Sequence, residues 1–211
     1  GCKDTASVDV DVFDKPPITL AFRDTLICVP DAVMLDATGT GVFTWTPATN
    51  INNPNIATPT VNPTTSTWYT VNLNDNGCVN KDSVHVRVIA NVSLSAIADT
   101  TICLTDAVQL DVTTDGLTFQ WTPAGTLDNP TIRNPIATPT LASTNYQITA
   151  RVGSCSATDN VVITTVPYPV ANAGADQVIC YNTSALLNGS HDGISFTWTP
   201  VTYLDDPAVL N

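Results

Sequence analysis

The sequence predicts an all-β chain of tandem β-sandwich repeats, and three observations carry that prediction. All 19 acidic residues are Asp, with no Glu among them. Glu is a helix former, whereas Asp prefers caps and turns, so this composition argues against much helix. Val84, Val86 and Val88 alternate with His85 and Arg87, and Val8, Val10 and Val12 alternate with Asp9 and Asp11, which is the period of a half-buried strand. The third observation is self-similarity along the whole chain.

The segments Thr25-Leu26-Ile27-Cys28, Thr100-Thr101-Ile102-Cys103 and Gln177-Val178-Ile179-Cys180 each follow an Asp, and their Cys residues are 75 and 77 positions apart. Each Cys is followed by Phe43-Thr44-Trp45-Thr46-Pro47, Phe119-Gln120-Trp121-Thr122-Pro123 or Phe196-Thr197-Trp198-Thr199-Pro200. Ile51, Leu127 and Leu204 come next, each ahead of two polar residues and a Pro. Tyr69 to Cys78 and Tyr146 to Cys155 keep a common spacing of nine. The register predicts complete repeats at 17–91 and 92–168, the end of an upstream repeat at 1–16 and the first part of a third at 169–211, as in a stretch taken from a longer, extended array.

Within each repeat, Tyr69-Thr70-Val71-Asn72-Leu73 leads through the turn signal Asp75-Asn76-Gly77 into the Val84–Val88 alternation, which predicts a hairpin. Val33-Met34-Leu35 and Val42–Trp45 predict a second pair of short strands. The Pro-rich stretches 54–63 and 130–139 suit edges and loops, because Pro cannot donate to a ladder. Six or seven short strands around one Trp in about 76 residues describe an immunoglobulin-like sandwich. The recurrent Trp residues are expected as core pins, and Trp68, replaced by Asn145 in the next repeat, as an exposed aromatic.

The net charge of −12, with seven Lys and Arg, leaves no electrostatic footprint for nucleic acid. With 43% apolar and 12% charged residues the chain can bury a core. No catalytic residues are expected. His85 and His191 do not recur between repeats, and Ser190-His191-Asp192 are sequence neighbours, whereas the members of a triad converge from separate segments. Asp24, Asp99 and Asp176 recur near the repeat starts, which makes them candidate calcium ligands; the competing role for them is capping of turns.

Six Cys at regular spacing, without Cys-x-x-Cys, favour disulfides and an oxidising compartment over zinc. The preferred pairing is Cys28–Cys78 and Cys103–Cys155, worth about 4 kcal/mol per loop in the chain-entropy model, with Cys2 and Cys180 paired outside the stretch. The alternative joins Cys28 to Cys155 as a clasp between repeats, because the turn before the second strand and the last hairpin lie at opposite poles of a standard sandwich.

Taken together, Asp before a short Ile-Cys strand, Phe-x-Trp-Thr-Pro, Leu-x-x-Pro, Thr-x-Tyr-x-Val and Gly-Cys before an alternating strand resemble the PKD-like and immunoglobulin-like repeats of Bacteroidota surface proteins. The best-known carriers are SprB-type gliding-motility adhesins exported by the type IX secretion system. Ala171-Asn172-Ala173-Gly174-Ala175-Asp176 looks like a repeat start of that group, while Trp45-Thr46-Pro47 and its copies stand where PKD domains carry Trp-Asp-Phe-Gly-Asp-Gly. The resemblance implies an extracellular, cell-surface stalk segment. Its partners would be neighbouring repeats and, through regions outside this stretch, secretion and motility machinery. A polysaccharide-binding module, a spacer of a secreted enzyme and a subunit of a surface filament are the alternatives. It also implies O-glycans at Asp-Ser/Thr-apolar motifs, here Thr5, Thr25, Ser83 and Thr100.

Overall fold

The computed structural model describes residues 1 and 3–210. Among the described residues there are eighteen short strands and no helix. The first eight are β1 (Thr19–Leu20), β2 (Asp24–Cys28), β3 (Val33–Met34), β4 (Ala37–Thr38), β5 (Val42–Thr46), β6 (Thr60–Val61), β7 (Thr67–Asp75) and β8 (Cys78–Ile89). They form a four-stranded sheet in the order β2-β8-β7-β5, faced by the pairs β1-β4 and β3-β6. β7 and β8 are the predicted hairpin, closing at Asp75 opposite Cys78. Asn76 and Gly77 turn the chain with φ of 50° and 93°. These left-handed values are what Asn and Gly tolerate in a two-residue turn.

Alternation places Tyr69, Val71 and Leu73 of β7 and Val84 and Val86 of β8 inside, with Leu35, Val61 and Trp45 completing the core. The recurrent Trp motif is a closed unit. Trp45 is 1% exposed, its backbone N–H donates to Pro54 O at 2.7 Å, and its indole N–H donates to Ile56 O at 2.9 Å. The Pro-rich loop therefore folds back over the indole and satisfies it. Ile51 bridges to Val61. The Asn52 carboxamide oxygen accepts the N–H of Thr60 at 2.9 Å.

The second sandwich repeats this plan. Its strands are β9 (Leu94–Ala96), β10 (Thr100–Cys103), β11 (Val108–Gln109), β12 (Val112–Thr114), β13 (Thr118–Thr122), β14 (Ile136–Ala137), β15 (Ser143–Val152) and β16 (Cys155–Val166). The large sheet runs β10-β16-β15-β13, with β9-β12 and β11-β14 opposite. Trp121, fully buried, donates to Ile132 O at 3.2 Å, and Asp128 accepts the N–H of Ile136 at 2.8 Å, as Asn52 does for Thr60. A carboxylate and a carboxamide serve equally there because the position needs only an acceptor.

In both sandwiches the strand ending in Cys runs parallel to the last long strand. Parallel pairing with the last strand, an antiparallel hairpin and a buried Trp on the next strand define an immunoglobulin-like sandwich. Beyond it, residues 169–210 carry the pair β17 (Ala171–Asn172) and β18 (Ser190–His191). The Val8–Val12 alternation does not form a strand: residues 3–18 carry none, and Val8, Val10 and Val12 are 85%, 78% and 89% exposed. An alternating segment becomes a strand only by pairing, and no described strand pairs with this one.

Candidate functional site at the junction of the two sandwiches

The linker between β8 and β9 is only residues 90–93, and it is pinned at both faces. Val92 is 7% exposed, the Ser93 N–H donates to the Asp115 carboxylate at 2.8 Å, and the Ser93 carbonyl accepts the Thr114 hydroxyl at 2.5 Å. Val92, Ala150 and Val152 form a small apolar cluster that also takes in Leu26 and Ile89 from the first sandwich and Leu94 and Phe119 from the second. The two sandwiches thus share a third core across their junction.

A disulfide closes that junction, joining Cys28 to Cys155 with 5.6 Å between their Cα atoms. This corrects the preferred pairing of Cys28 with Cys78 and of Cys103 with Cys155. Cys28 lies opposite Ile89 at the end of β8, whereas Cys78 begins that strand, roughly 35 Å away at 3.3 Å per residue. Cys103 lies opposite Val166 in the same way, with Cys155 at the far end of β16. Cys78, Cys103 and Cys180 are unpaired among the described residues; Cys2 lies outside them. A disulfide between protein cysteines belongs to an oxidising compartment.

Beside the disulfide, the Ser154 N–H donates to Asp31 Oδ2 at 2.9 Å. The Ser154 hydroxyl and its backbone N–H hold the Asp31 carboxyl below the usual Asp range, against a smaller opposing effect of burial. The folded junction favours the carboxylate. Its contribution is therefore complete above the ordinary Asp value near 4 and is lost as pH falls through the lowered pKa. Small-angle scattering between pH 7 and pH 3 should show the junction loosening only in acid. Asp31→Asn should flatten that dependence; an unchanged acid profile in the variant would contradict the role given to Asp31.

The candidate calcium ligands, one at each repeat start, have three different settings. Asp24 pairs bidentately with Arg87, at 2.8 Å from Nη2 and 3.0 Å from Nε, and lies 3.6 Å from His85 Nδ1. Asp99, at the equivalent place, accepts the Val162 N–H at 2.8 Å, because Thr164 stands there in place of Arg87. Asp176 is an exposed loop residue. Among the described residues no three His, Cys, Asp or Glu side chains group together. Of the glycan candidates, Thr5 is exposed outside any strand, whereas Thr25 and Thr100 lie half-buried in β2 and β10. The Ser83 hydroxyl is hydrogen-bonded to that of Thr70 at 2.8 Å.

Trp68 projects from the outer face of β7, 59% exposed, and stacks on His85 with ring centroids 4.5 Å apart and planes 5° from parallel. Sequence reasoning found Trp68 but missed its partner, which cross-strand pairing of Trp68 with His85 supplies. It missed Asp31 as well, although an Asp stands three residues after both Cys28 and Cys103.

No protein-family model and no curated protein matches the sequence. Among solved structures, the chain is similar to Dpr2 Ig1–Ig2 in complex with DIP-Theta Ig1–Ig3, with 12% identity and a TM-score of 0.41 over 76% of this chain and 70% of that one. It is similar to an I-band fragment of titin, with 14% identity and a TM-score of 0.38 over 74% and 68%. It is also similar to the N-terminal eight Ig domains of Down Syndrome Cell Adhesion Molecule, with 12% identity and a TM-score of 0.35 over 75% and 25%. The fold assignment rests on the strand order described above, and nothing about partners is carried over from these proteins.

Proposed function

We propose that this chain is a stalk segment of an extracellular, repetitive surface protein. Its complete units are 17–91 and 92–168, and 1–16 and 169–211 belong to neighbouring repeats. The observation that carries the reading is the junction. A four-residue linker, a shared apolar cluster and the Cys28–Cys155 disulfide together restrain two sandwiches that each have their own core. A chain built to hold something at a distance needs stiff joints more than it needs a pocket. The sequence resemblance supports the finer version, a surface adhesin of the gliding-motility kind carried out by type IX secretion. Scattering on the oxidised and reduced chain tests the stalk reading: an elongated, rigid particle that becomes flexible on reduction is expected, and equal flexibility in both forms would refute it.

A second reading, recognition of surface polysaccharide, is favoured by the Trp68–His85 stack. An exposed indole face beside the Asp24–Arg87 pair offers a sugar ring both a flat apolar surface and hydrogen-bonding groups at its rim. Trp68→Ala should change stability by less than about 1 kcal/mol, as surface substitutions do, while abolishing retention on immobilised polysaccharide. Retention equal to that of the parent chain would remove this reading.

A further inference from the structure

The turn that receives Ser154 and Cys155 has a counterpart at the far end of the second sandwich, with matching hydrogen bonds but a different backbone path, Thr105 taking φ +79° where the first turn has Pro30. β2 ends in Cys28 opposite Ile89, and β10 ends in Cys103 opposite Val166. The next N–H donates to the long strand in each case, Val29 to Ile89 O at 3.0 Å and Leu104 to Val166 O at 2.7 Å. The Cys carbonyl then accepts the N–H of the Asp three residues on, Asp31 at 2.6 Å and Asp106 at 3.0 Å. The first turn is occupied by the hairpin Gly153-Ser154-Cys155, covalently at Cys28 and by hydrogen bond at Asp31. In the second, Cys103 is half-buried and unpaired among the described residues, and Asp106 accepts the Tyr168 hydroxyl instead.

The occupied turn also shows what it selects. Gly153 has φ +52°, and a Cβ placed on it would overlap the Asp31 carboxylate. An Asp in the receiving turn therefore favours Gly at this hairpin position, since any other residue forces the carboxylate to rotate out of its hydrogen bond with Ser154. The chain also holds a second hairpin type. The first hairpin has Asn76, with φ 50°, where the second has Gly153. The Cys180 turn, by contrast, has Thr183 in place of the Asp, its hydroxyl bonded back to the Cys180 carbonyl at 2.7 Å.

We propose that the Cys103–Asp106 turn is a docking site for a β-hairpin of another immunoglobulin-like repeat, specifically one carrying Gly-x-Cys with Gly in the left-handed position. Asp106 disfavours the Asn-Gly-Cys hairpin type represented by Asn76-Gly77-Cys78. Residue pairing between turn and hairpin then acts as an ordering preference: an Asp turn favours a Gly hairpin, and an Asn hairpin is better accommodated by a turn without the Asp. The covalent step is thiol–disulfide exchange. The Cys103 thiolate attacks the hairpin sulfur of a mixed disulfide with a small thiol such as glutathione; that S–S bond breaks, the Cys103–hairpin S–S bond forms, and glutathione leaves with the proton that Cys103 gave up, so no net oxidant is consumed. Tyr168 must release the Asp106 carboxylate as the hairpin docks.

The test uses the full chain with Cys2→Ser, Cys78→Ser and Cys180→Ser, which keeps the Cys28–Cys155 bond and leaves Cys103 as its sole thiol. The probes are backbone-cyclised hairpins with the sequence Ile148–Asp159, carrying Gly, Ala or Asn at the position of Gly153, each supplied as its glutathione mixed disulfide. Mass spectrometry in a glutathione buffer reads the exchange equilibrium. We expect at least a tenfold preference for the Gly hairpin over both others, loss of that preference in Asp106→Ala, and a larger adduct fraction in Tyr168→Phe. Equal adduct with all three hairpins, or a Gly preference that survives Asp106→Ala, would overturn this ordering preference. As an internal measure, Gly153→Ala should make the Cys28–Cys155 bond at least tenfold easier for glutathione to reduce, and adding Asp31→Ala should restore much of the difference. The ordering preference extends the stalk reading but fails separately from it: a rigid chain that took all hairpins equally would sink the preference alone.

Discussion

Cys155→Ser should lower the thermal midpoint of the chain and broaden its interdomain distance distribution, while far-ultraviolet circular dichroism at 25 °C stays unchanged. The bond spans a sequence separation of 127, and closing so long a loop is worth about 5 kcal/mol in the chain-entropy model. Each sandwich retains its own cluster around Trp45 or Trp121, so the loss falls on the junction and on cooperativity between the two units. Leu26, Ile89, Val92 and Val152 still touch in the variant and keep the loosening partial. Cys78→Ser is the contrasting case and should be neutral, because Cys78 has no partner among the described residues. Calorimetry and small-angle scattering check both. A Cys155→Ser chain with the parent's melting profile and scattering curve would show that the disulfide has no mechanical role.

The second large effect is expected from Trp121→Ala. Trp121 is fully buried in the second core, and truncating a buried aromatic to Ala costs about 3–5 kcal/mol. The change also removes the indole N–H that the Ile132 carbonyl accepts, and a lost hydrogen bond costs about 1 kcal/mol more. Such a loss is comparable to the whole stability of a sandwich of this size. The expected calorimetric outcome is loss of one unfolding transition with the other preserved, and near-ultraviolet signals from Trp45 should persist. If both sandwiches melted together at the parent temperature, the Trp would not be the pin that its burial implies.

What could be read from the sequence was what is written locally. The Trp motif was legible because one strand and its return loop contain the hydrogen-bond partner of the indole, at a fixed offset in each copy. The hairpin was legible because Asp75-Asn76-Gly77 specifies its own turn. The cysteine pairing was half legible: the poles of a sandwich offered Cys28–Cys155 as the alternative, but preferring it needs β2 to lie parallel to β8, and a parallel neighbour leaves no signature in the run between two strands. Once that pairing is known, Cys28 falls at the pole where the next sandwich begins. Asp31 was hidden for a related reason: its partner, Ser154, is 123 residues away. For the recurrent Asp the sequence offered two roles, calcium ligand or partner of backbone amides, and Asp99 fills the second by accepting the Val162 N–H.

The Cys28–Cys155 bond also determines where tension would travel if the two ends of the chain were pulled apart. Force entering from residue 1 reaches Cys28 and crosses directly to Cys155, so everything between those residues, including both buried Trp side chains, is bypassed by the load. Even complete rupture of both cores could not release the enclosed chain, about 440 Å of contour at 3.5 Å per residue over a separation of 127. The stressed elements shrink to the segment before Cys28 and to β16. β2 and β16 would carry that tension along their own backbones, while their ladder partners β8 and β10 lie in the bypassed stretch and take none of it directly.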